Sequence, residues 1–260
     1  MSNLDITYNA IDNNKKLSEP VKGNVKELMT LFNRYYPEID LSNFNDRVQK
    51  LDVKKGNKYL IDEPLKYMTL DNAIYLNEKK LMKDEVSGMH SMMYALINMA
   101  SAKDYYYGFD NTGDLRALNT GATLLMVNTL LGSPEMSVKV GQQVSTGQPI
   151  KMPDGQEYYT KDDYTMMYAD TVFQDIMHLS ADELLNAYFN NKPEIILNRI
   201  NELNNSEILL NSIKEMSYAV KMNNAEVMVD CFENLKEKEP SLTRKQNDIE
   251  TLEEEKVRTI

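Results

Sequence analysis

Apolar residues recur at helical spacing between residues 84 and 101, and this period constrains the fold more than any other feature of the chain. The stripe is formed by Val86, Met89, Met93, Leu96, Ile97 and Ala100. An apolar stripe this broad predicts a helix that buries one whole side against other elements. We therefore expect residues 84–101 to form a core helix.

The same period recurs along most of the chain. Further helices are expected over residues 21–36, 40–50, 115–131, 161–179, 184–190, 193–204 and 206–236, the fifth of them preceded by a capping-box pattern at Ser180 and Glu183. The β-favouring run Ala73–Leu76 predicts a strand, and residues 137–159, interrupted by Gly and Pro, predict a β-hairpin or an ordered flap. The predicted fold class is α+β, predominantly α-helical, with a small sheet or hairpin.

Composition divides the chain into three parts. Residues 1–19 are polar and rich in Asn and Asp, so we expect a flexible N-terminal arm. Residues 20–236 are expected to form a single helical domain. Residues 237–260 are densely charged and poor in apolar side chains, which predicts a solvated C-terminal tail or a frayed helix.

Charge and cysteine content exclude several classes of function. The 29 basic and 40 acidic residues give a formal net charge of −11 without a Lys/Arg block, so nucleic-acid binding is not expected. Cys231 is the single cysteine, which rules out an internal disulfide and a thiolate zinc cluster. The N-terminal residues lack the apolar stretch of a secretory signal and no apolar window spans a bilayer, so we predict a cytoplasmic protein without a membrane span.

Three short segments between residues 70 and 200 carry a family resemblance. Residues 94–101 read YALINMAS, residues 117–126 read ALNTGATLLM and residues 184–191 read LLNAYFNN. They resemble H-E-L-L-H-M-A-S, A-L-N-E-G-x-T-E-L-L and a segment ending in A-Y-F-N-N of Gram-positive bacterial metallopeptidase-like proteins of the zincin type. An acidic-aromatic stretch over residues 159–172 precedes the third segment, as in that group. The resemblance implies a zincin-like helical core, with the strand at Ala73–Leu76 upstream of the metal-binding helix.

The chain departs from that group where zinc chemistry is expected. In the group's motif, two histidines four residues apart bind zinc, while the glutamate after the first activates a water molecule. The corresponding positions here hold Tyr94, Ala95 and Asn98; Thr120 stands at the third-ligand position and Leu124 at the next acidic position. Phenol, amide and hydroxyl groups are poor zinc ligands, and alanine transfers no proton. We therefore predict no catalytic residue, no metal, no cofactor, and a vestigial cleft lined by Tyr94, Ala95, Asn98 and Thr120.

The two histidines offer an alternative site. A metal held by His90, His178 and a carboxylate such as Asp84 or Glu85 would replace the lost motif. The simpler interpretation is that both histidines are ordinary helix residues.

Tyrosines cluster in two predicted loops near the vestigial cleft. Because tyrosine gives a large contact area at low entropic cost, such loops are typical of binding surfaces. The predicted binding surface comprises Tyr105, Tyr106, Tyr107, Tyr158 and Tyr159. The partner that this surface suggests is a protein or peptide, and no oligomeric state is predicted.

Three functions follow from these observations. The leading hypothesis is a catalytically inactive metallopeptidase-like protein, a pseudo-peptidase, that acts as a binding or structural module. The second is a helical interaction component of a phage or secretion-type assembly. The third is an enzyme whose site has moved to His90 or His178.

Overall fold

The structure, a computed structural model, describes residues 3–56, 64–81, 85–131, 150–151, 157–158 and 160–245. Its helices are α1 (Asn3–Asn13), α2 (Glu19–Tyr35), α3 (Ser42–Val48), α4 (Glu78–Leu81), α5 (Glu85–Ala100), α6 (Arg116–Leu131), α7 (Lys161–Asp170), α8 (Ala181–Phe189), α9 (Pro193–Asn201), α10 (Ser206–Met222) and α11 (Ala225–Lys238). A π-helical segment, Thr171–Ile176, continues α7, and a 3-10 turn, Glu239–Ser241, continues α11. The prediction of a predominantly helical α+β protein is confirmed.

The strands form two small sheets. A three-stranded sheet has the order β1 (Asp52–Lys55), β3 (Ala73–Leu76), β2 (Leu65–Met68), with β1 parallel and β2 antiparallel to β3. The strand predicted at Ala73–Leu76 is therefore its central strand. Two short strands, β4 (Ile150–Lys151) and β5 (Glu157–Tyr158), pair antiparallel within the predicted hairpin region, most of which lies outside the described residues.

The core is built on α5, α6 and α7. Met93, Leu96 and Ile97 of α5 are almost fully buried, as the apolar stripe predicts. The closest helix pair is α6 with α7, and Gly121 allows this approach, because a Cβ atom there would overlap the Cβ of Ala169 and lie 2.8 Å from the carbonyl oxygen of Thr165. The sheet covers α5 through β2.

The expectation of a flexible arm over residues 1–19 is wrong for the described part of that segment. Residues 3–13 form α1, which packs against α2 and α3 and buries Ile11 completely. Asn14 anchors the end of α1, since its side-chain amide donates to the carbonyl oxygens of Val48 at 2.7 Å and Leu51 at 2.9 Å. A few apolar residues are enough to dock α1, because they lie on one face of the helix and the buried polar groups bond to backbone partners.

Two boundaries near the C-terminus also differ from the sequence prediction. The helix predicted over 206–236 is broken at Asn223, whose left-handed backbone (φ 55°) ends α10, and Asn224 caps α11 by accepting from the Val227 N–H. The predicted tail begins later than residue 237. Leu242 is buried, and the Lys245 N–H donates to the carbonyl oxygen of Glu202 at 2.9 Å; residues 246–260 lie outside the described part.

Helices in the described residues are too short or too polar to cross a membrane.

Candidate functional site

A cleft of about 470 Å³ lies beside β2 and is bounded by residues of α5, α6, α7 and α10. The four residues assigned to the vestigial cleft, Tyr94, Ala95, Asn98 and Thr120, all line it. Tyr94 and Ala95 are neighbours in α5, Asn98 lies one turn further on, and Thr120 lies on α6, which packs against α5. The fold thus brings these four residues to one cavity.

Tyr94 is a neutral group in this cleft. Its ring packs against the core, and its hydroxyl lies near the Thr120 side chain. Burial, together with the neighbouring hydroxyls of Tyr107 and Tyr188, raises the pKa of Tyr94 well above its ordinary value. A phenol that stays protonated is neither a metal ligand nor a general base at neutral pH.

Asn98 belongs to a buried hydrogen-bond network. Its Oδ1 accepts from the Tyr188 hydroxyl at 2.9 Å and lies 3.5 Å from the Thr123 Oγ1. The hydroxyls of Tyr188 and Thr123 are 2.7 Å apart, and both side chains are fully buried. Buried polar groups are tolerated when they satisfy one another, so this network, hereafter the Asn98 network, binds the Asn98 oxygen to the protein itself.

Asn191 connects the segment at 184–191 to the segment at 94–101. Its side-chain amide donates to the carbonyl oxygens of Ser101 at 2.8 Å and Gly108 at 2.7 Å. Its own backbone is left-handed, with φ 52°, which asparagine tolerates better than most residues. Tyr188 and Asn191 together therefore tie the segment at 184–191 to α5, to α6 and to the loop after α5.

Gly108 holds that loop close to α6. Its backbone is left-handed, with φ 64°, and a Cβ atom there would overlap the Asn119 Oδ1. The same oxygen accepts from the Asp110 N–H at 3.2 Å, whereas the Asn119 Nδ2 is buried without a partner. Asn119 thus organises the loop that carries Tyr105 and Tyr107.

β2 is the edge strand of the sheet within the described residues, and it forms one wall of the cleft. All six consecutive residues 65–70 line it, whereas a strand that presents one face contributes only alternate residues. The Asp52 N–H donates to the Asn72 carbonyl oxygen, and the Gly56 N–H donates to the Leu76 carbonyl oxygen. The backbone groups of the even-numbered residues of β3 therefore face β1, and those of the odd-numbered residues face β2.

That register fixes which backbone groups of β2 face outward. Leu65 and Tyr67 stand opposite Leu76 and Ile74, in the pairs that exchange no hydrogen bonds with β3. Their N–H and C=O groups therefore point away from β3, although each residue is only 4% exposed.

Exposed apolar side chains stand at the cleft. Leu70, Met68 and Tyr105 line it and are 80%, 40% and 62% exposed. Leu70 is the most exposed large hydrophobic residue of the described chain. Exposed apolar groups beside a concave surface are typical of binding sites.

The structure divides the predicted tyrosine surface. Tyr105 and Tyr107 line the cleft, whereas Tyr106 does not; its ring stacks edge-on against Tyr105 at 5.6 Å between centroids. Tyr158 contributes its backbone to β5, and its side chain lies outside the described part of the molecule. Tyr159 lies outside the described residues altogether.

The two histidines are placed differently. His90 lines the cleft, its Nε2 lies 3.3 Å from the Asn128 Oδ1, and its pKa is lowered by burial, an effect partly offset by Asn128, Asp162 and Asp163. His178 is exposed, follows the π-helical segment with φ 49°, and is not among the described residues of the cleft.

The described residues contain no group of three or more His, Cys, Asp or Glu side chains arranged to hold a metal ion. Asp84, one carboxylate of the alternative metal site, lies outside the described residues, and so does the side chain of Glu85.

Sequence reasoning missed the residues that close the cleft from α7 and α10. Lys161, at the start of α7, donates from Nζ to the Asn223 Oδ1 at 2.6 Å, and Lys221 lies in the last turn of α10. Isolated charged residues carry no periodic signal, so only the fold brings them together. β2 was also missed, although the alternation of Leu65 and Tyr67 with Lys66 is a short strand signal.

Comparisons with models of protein families, with curated proteins and with solved structures found no match to this chain.

Proposed function

We propose that the protein is a catalytically inactive, metallopeptidase-like binding module whose cleft holds an extended segment of a partner protein. The observation that carries this proposal is the edge of β2, where consecutive residues line the cleft and the backbone groups of Leu65 and Tyr67 point away from β3. An extended peptide that adds to such an edge gains main-chain hydrogen bonds, and adjacent pockets select its side chains.

The apolar residues of the cleft support a peptide as the occupant. Leu70, Met68 and Tyr105 remain exposed, at an energetic cost that a partner's apolar side chains would remove. A volume of about 470 Å³ lies within the usual range of ligand sites and accommodates a few residues of an extended chain.

The absence of catalysis in the proposal rests on the chemistry of the motif positions. Tyr94 is neutral, Ala95 is buried and without a functional group, and the Asn98 oxygen is occupied within the Asn98 network. Thr120 adds a neutral hydroxyl near Tyr94. These four groups provide neither a zinc-binding set nor a general base.

Peptide binding is tested with fluorescein-labelled octapeptides that alternate Thr with Glu, Gln, Lys or Val, followed by fluorescence anisotropy. At least one peptide should bind, and Leu70→Ser should weaken it about tenfold, since a buried leucine contributes roughly 1.5–3 kcal/mol. Leu197→Ser on α9 is the matched control, because Leu197 is also exposed and lies away from the cleft. The proposal would be refuted if both variants lost the same amount of peptide affinity, or if none of the four peptides bound.

Strand addition is tested separately with N-methylated peptides. Only alternate N–H groups of an added strand point to its neighbour. One peptide is methylated at the backbone nitrogens of all its Thr residues, and the other at the backbone nitrogens of all the residues between them. One of the two peptides should lose binding and the other should retain it. Equal effects would exclude pairing with β2.

A second candidate, an enzyme with its site at His90, is favoured by one observation: His90 and Asp162 both line the cleft. Incubation with a peptide mixture, followed by mass spectrometry, tests it. Cleavage that His90→Gln abolishes and His178→Gln leaves intact would establish this candidate in place of the binding module.

A further inference from the structure

Charge in the cleft is opposite in sign to the charge of the whole protein. The chain carries a formal net charge of −11. The described residues of the cleft nevertheless include the cations Lys66, Arg116, Lys161 and Lys221, and Asp162 is their only carboxylate. A cationic cleft attracts anionic ligands, even on a protein whose net charge is negative.

Neutral groups, rather than carboxylates, hold two of these cations in place. Lys161 donates to the amide oxygen of Asn223 at 2.6 Å, and the Arg116 guanidinium donates to the carbonyl oxygen of Thr112 at 3.2 Å. Within the described chain, Arg116, Lys161 and Lys221 form no ion pair, although other surface lysines do, such as Lys214 with Asp114 at 3.4 Å. No carboxylate of the described residues compensates the positive charge of these three side chains, which leaves it available to a ligand.

The cations surround the wall that the β2 edge provides. Lys66 belongs to β2 itself, Arg116 begins α6, Lys161 begins α7, and Lys221 lies near the end of α10. A segment lying along β2 therefore meets positive charge from more than one side. Aspartate and glutamate side chains are the complement that such a segment would carry.

We infer that the cleft selects an acidic extended peptide, whose carboxylates pair with Arg116, Lys161 and Lys221 while its backbone lies along β2. This inference rests on the proposed function and adds to it the chemistry of the partner. It places the selectivity in cations contributed by three helices.

Charge reversal provides the test. The Thr–Glu octapeptide should bind more tightly than its Thr–Gln counterpart, which has the same shape without the charge. The double variant Lys161→Glu/Lys221→Glu should weaken the Thr–Glu peptide by about tenfold, since two partly exposed ion pairs become repulsive. It should leave the Thr–Gln peptide nearly unchanged and strengthen the Thr–Lys peptide.

The matched control is Lys192→Glu/Lys238→Glu. Lys192 donates to an asparagine oxygen, that of Asn186, as Lys161 does, and Lys238 lies in the last turn of its helix, as Lys221 does. Both double variants change the net charge equally, but the control residues lie outside the cleft. Thermal melts of each variant verify that the fold is retained.

The outcomes distinguish peptide binding in the cleft from the preference for acidic peptides. If the Thr–Gln and Thr–Glu peptides bind equally, and Leu70→Ser weakens both, the peptide site stands and the acidic preference is wrong. If no peptide binds, both are wrong. If an oligothymidine of eight nucleotides binds more tightly than the Thr–Glu peptide and Lys161→Glu/Lys221→Glu abolishes that binding, the cationic cleft serves a nucleic acid and the inference is overturned.

Discussion

The α5–α6 pair has a closed side and an open side. On the closed side, the Asn98 network is buried and its hydroxyls and amide oxygen lie within hydrogen-bond distance of one another. On the open side, Leu70 is 80% exposed and Arg116 is held only by a carbonyl oxygen. Asn98 lies at the boundary, since it belongs to the network and also lines the cleft.

The difference separates two roles of the residues around the α5–α6 pair. The positions that face the closed side hold the segments together. The positions that face the open side leave exposed apolar groups and cations, which folding does not require. Substitutions should therefore affect the free energy of unfolding on one side and ligand affinity on the other.

The largest effect is expected at Gly121, on the closed side. Gly121→Ala forces a methyl group into the Cβ of Ala169 and the backbone of Thr165, so it should cost about 3 kcal/mol of stability. Gly23→Ala is the matched control, because Gly23 is exposed within α2 and a Cβ there has no neighbour within 4 Å. That substitution should stabilise by about 1 kcal/mol. Urea unfolding measures both, and changes of the same sign would contradict the close α6–α7 contact.

The next effect is expected in the Asn98 network. Tyr188→Phe removes the hydroxyl that bonds Asn98 and Thr123, leaving their buried oxygens with fewer partners, and should cost about 2 kcal/mol. Tyr218→Phe is the control, since Tyr218 is 63% exposed, and it should change the unfolding free energy by less than about 0.5 kcal/mol. Similar unfolding curves for the two variants would mean that the network adds no stability.

On the open side, the expected effect on stability is smaller. Leu70→Ser should change the unfolding free energy by less than about 0.5 kcal/mol, because its side chain is already in water. Differential scanning calorimetry of the unliganded protein provides the measurement. A large loss of stability would show that Leu70 packs in the fold and is not a contact reserved for a ligand.

The smallest effect concerns pH and His90. Burial lowers its pKa in the folded protein, so the unfolded chain binds the proton more readily. Its contribution to stability is complete above the unfolded value of about 6.5 and is lost as the pH falls below it. His90→Gln should therefore reduce the destabilisation between pH 7.5 and pH 5.5, whereas His178→Gln, at an exposed position, should not. Unfolding curves at the two pH values test this difference.

The sequence predicted the closed side better than the open side. The periodic apolar residues of α5 and α6 indicated both helices, and the capping box at Ser180 and Glu183 is present in the structure. The motif spacing also led to Tyr94 and Thr120, which the fold brings to one cleft. The helix and capping predictions succeeded because helical period and capping are local properties of the chain.

The open side depends on contacts that local patterns do not encode. β2 is four residues long, and its edge matters only because β3 lies on its other side. Lys161 and Lys221 are distant in sequence, and α7 and α10 bring them to the same cleft. The arm expected over residues 1–19 failed for a related reason, since α1 is stabilised by tertiary contacts with α2 and α3 more than by its own composition.

The contact between Gly108 and Asn119 has a consequence for how this chain can diverge. A side chain at position 108 would occupy the space of the Asn119 oxygen and would also strain the left-handed backbone. Homologous chains with a larger residue at 108 should carry a smaller one at 119 and a rebuilt loop between them. The two positions should therefore covary. This pair provides a signature by which chains that share the loop by descent can be told from chance likeness.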